Sequence, residues 1–511
     1  MHLRSLASAL LLSSILFCGV SVSLAEHPTP SPEFISQIET TFNDSRFDSA
    51  FWGVKIKSLE TGEVWYERNA NKLFMPASNQ KIPTTATALE VLGPDYKFTT
   101  TYTLAGVREG SVWKGDLVAW SNGDPTLYTR LMSSPTELFE KVAATLKEQG
   151  ITVITGSVVG DDSAFSDQRI GYGWTLGGLD TWYSAEFGPL QLNENYVDLQ
   201  IIPPAKEGEE LLITPNIKSK YFQLRNNIKV VKEGETRVSV TREYGSTEIV
   251  LSGTAVIGSP AFERSPSVPN PTLWYATVLQ ETLEASGISV EGEPLDITDA
   301  TPDWLQNWES AEREVILEHK SAPLSEVLAV LMKRSQNLYA ETMPLVVGYE
   351  KTGKGEFSAG EKYVEETLQK FGIQPSEFVY SDASGLSRYN YISPNHLILI
   401  LEGMLKSPNA EVWKNTFPIA GVDGTLRSRM KGTPAEGNAR AKTGTIANTR
   451  GLSGYVTTKD GEQLVFSFLV NGHTVGDSAT NAVTDGVLAL LAGLDRTAAA
   501  STAVTATEGG S

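Results

Sequence analysis

The sequence predicts an α+β fold interrupted by a long β-rich insertion, and three features carry that expectation. Residues up to Tyr96 read as helix, hairpin, helix; residues 97–303 break into short alternating runs separated by Gly and Asn; from Trp304 the apolar spacing is helical again. At 511 residues the chain is long enough for about three domains with sizeable cores. The expected division is a leader over 1–25, a discontinuous main part of 26–96 and 304–495, the insertion at 97–303 as two subdomains, and a disordered tail over 496–511.

In chain order, Met1-His2-Leu3-Arg4 precedes an apolar run from Leu6 to Leu24, and Ser23-Leu24-Ala25 places small residues before a cut at Glu26. That is the pattern of a secretory signal peptide. The run is nearly long enough to span a bilayer, so an uncleaved anchor is the competing reading. Cys18 follows a bulky Phe17, which argues against lipid attachment, and it is the only cysteine. A chain cut after Ala25 therefore has no disulfide, thiolate nucleophile or Cys-based metal site.

Phe34, Ile35, Ile38 and Phe42 have helical spacing over Pro32–Phe42. Alternation in Trp52–Lys57 and Val64–Tyr66 around Glu60-Thr61-Gly62-Glu63 predicts a hairpin. An apolar helix then opens at Ser78. In the insertion, Thr99–Leu104, Leu117–Trp120, Val153–Val159 and Val238–Val250 read as strands, with helices at Thr136–Gly150 and Leu273–Gly287. Helices follow at Leu324–Lys333, Leu338–Gly348, Gly360–Phe371 and Asn395–Lys406, then a strand pair flanking Gly461 and a helix over Ala482–Leu494. The stretch Arg496–Ser511 is mostly Ala, Thr and Gly without amphipathic spacing.

The formal net charge of −19 is spread rather than clustered, which argues against nucleic acid or an anionic membrane as partner. No His-Glu-x-x-His or Gly-x-Ser-x-Gly is present, so neither a catalytic metal nor any other cofactor is expected, and His319, His396 and His473 read as surface or helix-end residues.

Three short motifs can do chemistry. Ser78 and Lys81, three apart at a helix start, share a face and can exchange a proton. Ser111 and Lys114 have the same spacing, but in a strand-like stretch they point to opposite faces. Ser335-Gln336-Asn337 follows an apolar helix, and in an extended turn Ser335 and Asn337 enter one cleft while Gln336 points elsewhere. Ser393-Pro394-Asn395 and Ser407-Pro408-Asn409 read instead as helix caps or turns. Lys442-Thr443-Gly444-Thr445 precedes a strand. Lys442 supplies a counter-charge for a peptide carboxylate, Thr443 and Thr445 supply donors, and Gly444 lets a substrate backbone approach. Lys351-Thr352-Gly353 repeats the third motif in a polar loop with no following strand, an ordinary charged turn.

Ser-x-x-Lys, Ser-x-Asn and Lys-Thr-Gly in that order resemble the penicillin-recognising serine enzymes. The long gap between Ser78 and Ser335, together with Asn122–Leu127, Asp382–Arg388, Val422–Leu426 and Gly437–Arg440, is similar to the D-alanyl-D-alanine carboxypeptidase/endopeptidase family of the penicillin-binding protein 4 type. The resemblance implies a transpeptidase-like domain, an antiparallel sheet with helices on both sides. It also implies peptidoglycan stem peptides as substrate, β-lactams as covalent inhibitors and an extracytoplasmic location, periplasmic once exported. A serine β-lactamase or esterase, or a non-catalytic peptidoglycan-binding protein, are the alternatives.

By that resemblance Ser78 is the nucleophile, Lys81 its base, Ser335 the proton relay and Asn337 the holder of the substrate amide, with the N–H groups of Ser78 and Thr445 as oxyanion hole. An ordinary lysine is neutral in only about one molecule in 2,500 at pH 7, so Lys81 needs a pKa lowered by about three units. Burial and the charge of Lys442 are the available causes. The acidic turn Gly160–Phe165 would bring Asp161 to the amine of the stem-peptide diamino acid, with a solvated turn carboxylate as the competing reading. Two departures stand out: Gln336 occupies a position usually held by Asp or Asn, and Pro83 falls where it could kink the Ser78 helix.

Overall fold

The computed structural model describes residues 29–497. The leader expected over 1–25 lies outside the described residues, as does the expected tail beyond Thr497.

A five-stranded antiparallel sheet is built from both ends of the chain, in the order Arg440–Ile446, Thr449–Thr457, Gln463–Asn471, Phe51–Ser58, Val64–Arg68. The period of two in strand Gln463–Asn471 explains its two-sided burial. Leu464, Phe466, Phe468 and Val470 face helices Pro32–Phe42 and Asp477–Gly493, while Val465 and Leu469 face the opposite core. That second core holds helices Lys81–Leu92, Leu324–Arg334, Asn337–Thr352, Phe357–Lys370 and Pro394–Leu405. Helices thus cover both faces, as expected.

The insertion has its own core. Strands Thr99–Glu109 and Val112–Ser121 form a long hairpin in a seven-stranded sheet, and helices Glu137–Glu148 and Pro271–Ala285 contribute Phe139, Val142, Trp274 and Tyr275 to that core. Two three-stranded sheets follow: Arg237–Thr241, Glu248–Val256 and Gln223–Val231 make one, and Phe262–Arg264, Leu199–Ile202 and Leu212–Pro215 the other.

Several elements differ from the sequence expectation. The run Val153–Val159 is two strands, Val153–Ile154 and Val158–Asp161, and Val238–Val250 is also two. Strand Arg313–Lys320 lies beyond residue 303 yet pairs antiparallel with Thr99–Glu109, so the insertion sheet is completed only at Lys320. Arg496, read as part of a tail, is buried: it pairs with Asp460 at 2.8 Å and with Glu462, and its guanidinium lies 5.0 Å from the Trp65 ring centre. Lys351-Thr352-Gly353 is the end of helix Asn337–Thr352, with Gly353 at φ +73° in the left-handed cap position, rather than a free loop.

Candidate active site

The start of the Ser78 helix is tighter than an α-helix. Ala77–Gln80 forms a 3₁₀ turn, and the α-helix proper runs Lys81–Leu92. Pro83 therefore sits in the first α-helical turn, where a missing N–H costs little. The anticipated kink does not separate the pair: Lys81 Nζ is 3.1 Å from Ser78 Oγ.

Lys81 is fully buried and donates to Asn337 Oδ1 at 2.6 Å and to the Ser384 carbonyl at 2.7 Å. Burial lowers its pKa to about 7, against the opposing pull of Asp382 and Glu341. The charge of Lys442, offered above as a second cause, is not needed. Lys442 is itself buried and held well below the usual lysine range, by burial first and then by Lys81. Its Nζ donates to Ser335 Oγ at 2.8 Å and to the Thr443 carbonyl at 2.7 Å. Each candidate serine thus has its own buried lysine.

Ser335 ends helix Leu324–Arg334 in the left-handed region, at φ +59°. This turns the chain so that Asn337 starts the next helix facing Lys81. Gln336 points away from the cleft, as expected, and its side chain caps that helix by accepting from Leu338 N at 3.1 Å. Thr443 and Thr445, two apart on one strand, both line the cleft, and Thr443 Oγ1 donates to Thr425 Oγ1 at 2.8 Å. Gly444 has a different use from the one expected. A Cβ there would lie 2.7 Å from the Pro76 carbonyl and 3.1 Å from Ser78 N, so its lack of a side chain admits the nucleophile turn rather than a substrate.

The cleft has a volume of about 590 Å³ and is lined by Ser78, Ser335, Asn337, Thr443 and Thr445 from the sheet-and-helix part. The insertion adds Trp174, Trp182 and Tyr183. Asp161 is not among the lining residues. It belongs to strand Val158–Asp161, is largely buried, and its Oδ1 accepts from Ser163 N at 3.0 Å within its own turn. Lys114, the decoy partner of Ser111, pairs with Glu109 on the surface. Ser393 caps a helix by accepting from His396 N.

Several residues that matter here escaped motif reasoning. Asn79, with its amide turned to satisfy both ends, donates to Ser453 Oγ at 2.9 Å and accepts from Gly444 N at 3.3 Å, tying the nucleophile turn to the Lys442 strand. Glu341 accepts from Ala383 N at 3.1 Å and Ser384 N at 2.9 Å, which fixes the carbonyl that Lys81 uses. Burial and the nearby Asp382 push the Glu341 carboxyl upward. Asp382 accepts from Gly385 N, Ser387 N, Asn390 Nδ2 and Trp174 Nε1, binding the same turn to the insertion. Glu341 lies in the stretch after the second motif and Asp382 in a stretch quoted above, but neither carries a spacing signal for its role.

The arrangement offers a hydroxyl beside an amine that is half neutral near pH 7, a second hydroxyl–amine pair, and donors on a strand edge. That is the equipment of acyl transfer. A family pattern described as D-Ala-D-Ala carboxypeptidase 3 (S13) matches residues 35–494. A D-alanyl-D-alanine carboxypeptidase of Actinomadura sp. (strain R39) is 32% identical over 473 residues, covering 90% of this chain and 84% of the relative. The crystal structure of penicillin binding protein 4 from Haemophilus influenzae superposes with a TM-score of 0.74 at 25% identity, covering 89% of this chain and 98% of that one. A second structure of that protein, complexed with a novel β-lactam, gives a TM-score of 0.70 at 24% identity over the same shares.

Proposed function

Because the chain belongs to the D-Ala-D-Ala carboxypeptidase 3 (S13) family, we propose that it is a serine DD-carboxypeptidase and DD-endopeptidase of peptidoglycan, cleaving D-Ala-D-Ala ends and D-Ala–diamino acid cross-links through an acyl-enzyme on Ser78. The observation that carries the reading is the 3.1 Å contact between Ser78 Oγ and a buried Lys81 whose pKa is lowered to about 7.

Neutral Lys81 takes the Ser78 proton as Oγ attacks the D-Ala carbonyl, and the resulting oxyanion is held by the N–H groups of Ser78 and Thr445, each such donor being worth about 2.7 to 4 kcal/mol. Collapse breaks the C–N bond. The departing amine takes a proton from Ser335, and the proton that Lys81 took from Ser78 replaces it, so Lys81 is neutral again; Lys442 holds the Ser335 hydroxyl at 2.8 Å. Asn337 holds the substrate amide, while Lys442, Thr443 and Thr445 take the terminal carboxylate. Water activated by Lys81 then cleaves the ester. A β-lactam opens by the same attack but leaves a persistent ester, consistent with the β-lactam complex of the Haemophilus influenzae protein.

In this reading the catalytic part is the five-stranded sheet with its flanking helices, and the insertion supplies one rim of the cleft. The leader sends the protein across the inner membrane to a periplasmic or extracytoplasmic site. Among the described residues no helix is long and apolar enough to cross a membrane. Fluorescent penicillin should label the purified protein and not Ser78→Ala, with loss of D-Ala release from a stem pentapeptide in parallel. Labelling retained by Ser78→Ala would refute the assignment.

A further inference from the structure

The insertion does more than line one rim of the cleft. Three consecutive non-glycine residues, Asn193, Glu194 and Asn195, sit at φ +52°, +53° and +55°. L-residues visit this region singly and at a cost, and a run of three persists only where the surroundings dictate it. The two asparagines have local reasons. Asn193 Nδ2 donates to the Tyr196 carbonyl at 2.7 Å, and Asn195 Oδ1 accepts from Leu192 N at 3.1 Å. Glu194 has no such bond to its own turn's backbone; the run directs its side chain into a buried cluster that reaches the Ser335-Gln336-Asn337 turn.

That side chain is fully buried and takes four donors on its two oxygens. Arg130 Nε reaches Oε1 at 2.7 Å, Arg130 Nη2 reaches Oε2 at 3.2 Å, and Tyr196 Oη reaches Oε2 at 2.6 Å. The fourth donor is Gln336 Nε2, from the middle of the Ser335-Gln336-Asn337 turn. The other end of the Gln336 amide caps helix Asn337–Thr352 through Leu338 N. One amide therefore ties the insertion to the turn that aims Ser335 at Lys442 and Asn337 at Lys81. A shorter Asn at 336 could still cap the helix but would fall one methylene short of Glu194.

We propose that Glu194 is a positioning residue for acyl transfer: through Gln336 it holds the Ser335–Asn337 turn in register with the two buried lysines. This rests on the acyl-enzyme reading above. Glu194→Gln is isosteric but places an amide NH2 among four donors, and Gln336→Asn keeps the cap while cutting the link.

The test is the rate of acylation by fluorescent penicillin for the full chain, these two variants and their double variant. Final labelling stoichiometry counts the competent molecules, and thermal unfolding is recorded separately. Each single variant should lower the acylation rate constant per labelled molecule about tenfold with stoichiometry kept, since sub-ångström misplacement is costly. The double variant should lose no more than either single one. A lowered melting temperature or stoichiometry with a rate constant within about twofold of the parent would overturn the positioning role, as would losses that multiply in the double variant. Should Glu194→Gln fail to fold, Gln336→Asn is judged by the same rate criterion. An unlabelled parent protein would overturn the acyl-enzyme reading and the role built on it; a labelled parent with unslowed variants would overturn the positioning role alone.

Discussion

The pH dependence of acylation is the sharpest consequence of the buried Lys81. Moving a lysine pKa from 10.5 to about 7 corresponds to about 5 kcal/mol of differential interaction at roughly 1.4 kcal/mol per unit. The sign follows from burial: the charged form is penalised, so the neutral form becomes available as pH rises through 7. About half the molecules would carry a neutral Lys81 at pH 7, about one in ten at pH 6 and about nine in ten at pH 8. Stopped-flow acylation by a penicillin, read as the first-order rate at saturation, should therefore rise about fivefold from pH 6 to 7 and level off above pH 8. Asp382→Asn removes the larger of the charges that raise the Lys81 pKa, so its midpoint should move to lower pH. A rate that still climbs tenfold per unit up to pH 9 would refute the lowered pKa, and a midpoint that moves upward in Asp382→Asn would refute the electrostatic account.

Other expectations follow from individual contacts. Lys81→Arg replaces a titratable amine with a group that stays charged, and should reduce acylation by about 10²–10⁴-fold and also lower the melting temperature, since the buried charge can no longer neutralise. Gly444→Ala forces a methyl to 2.7 Å from the Pro76 carbonyl and should cost about 1–3 kcal/mol of stability by denaturant titration, with slower acylation. Pro83→Ala should leave the acylation rate within about twofold, because the 3₁₀ turn keeps the proline out of the Ser78–Lys81 geometry; a tenfold gain would show the proline does misplace the pair. Arg496→Ala removes the guanidinium paired with Asp460 and Glu462 and should cost about 3–5 kcal/mol in unfolding while sparing the acylation rate of the remaining folded molecules.

The candidate site was legible where its chemistry is written locally. Ser78 with Lys81, Ser335 with Asn337, and Lys442 with its threonines each occupy one turn or one strand, so spacing and period alone predict which side chains share a face. The residues that were not legible act across long separations. Glu341 works on backbone N–H groups at Ala383 and Ser384, and Asn79 on the Gly444 N–H and the Lys442 carbonyl; backbone groups carry no side-chain identity for a motif to report. Strand Arg313–Lys320 was hidden because it is a sheet edge, buried chiefly at Ile316, with charges on both sides of a short apolar run. The break in Val153–Val159 falls at Gly156, where a Cβ would meet the Gly115 carbonyl at 2.6 Å; only the partner strand makes that visible. Asp161 lies away from the cleft lining because it ends strand Val158–Asp161, whose course sets its orientation, and an acidic turn read from its own residues does not report that.

The central sheet is closed by segments from opposite ends of the chain: Met75 N donates to Asn471 Oδ1 across a sequence separation of 396. Closing so long a loop costs about (3/2)RT ln n in entropy before any contact repays it, and folding that depends on such non-local pairing is slow. Ser78 is synthesised early, yet neither Lys442 nor the strand that carries it exists until most of the chain has been made. A chain still emerging in extended form is therefore catalytically silent. The cleft is complete only once the last strands of the sheet have paired.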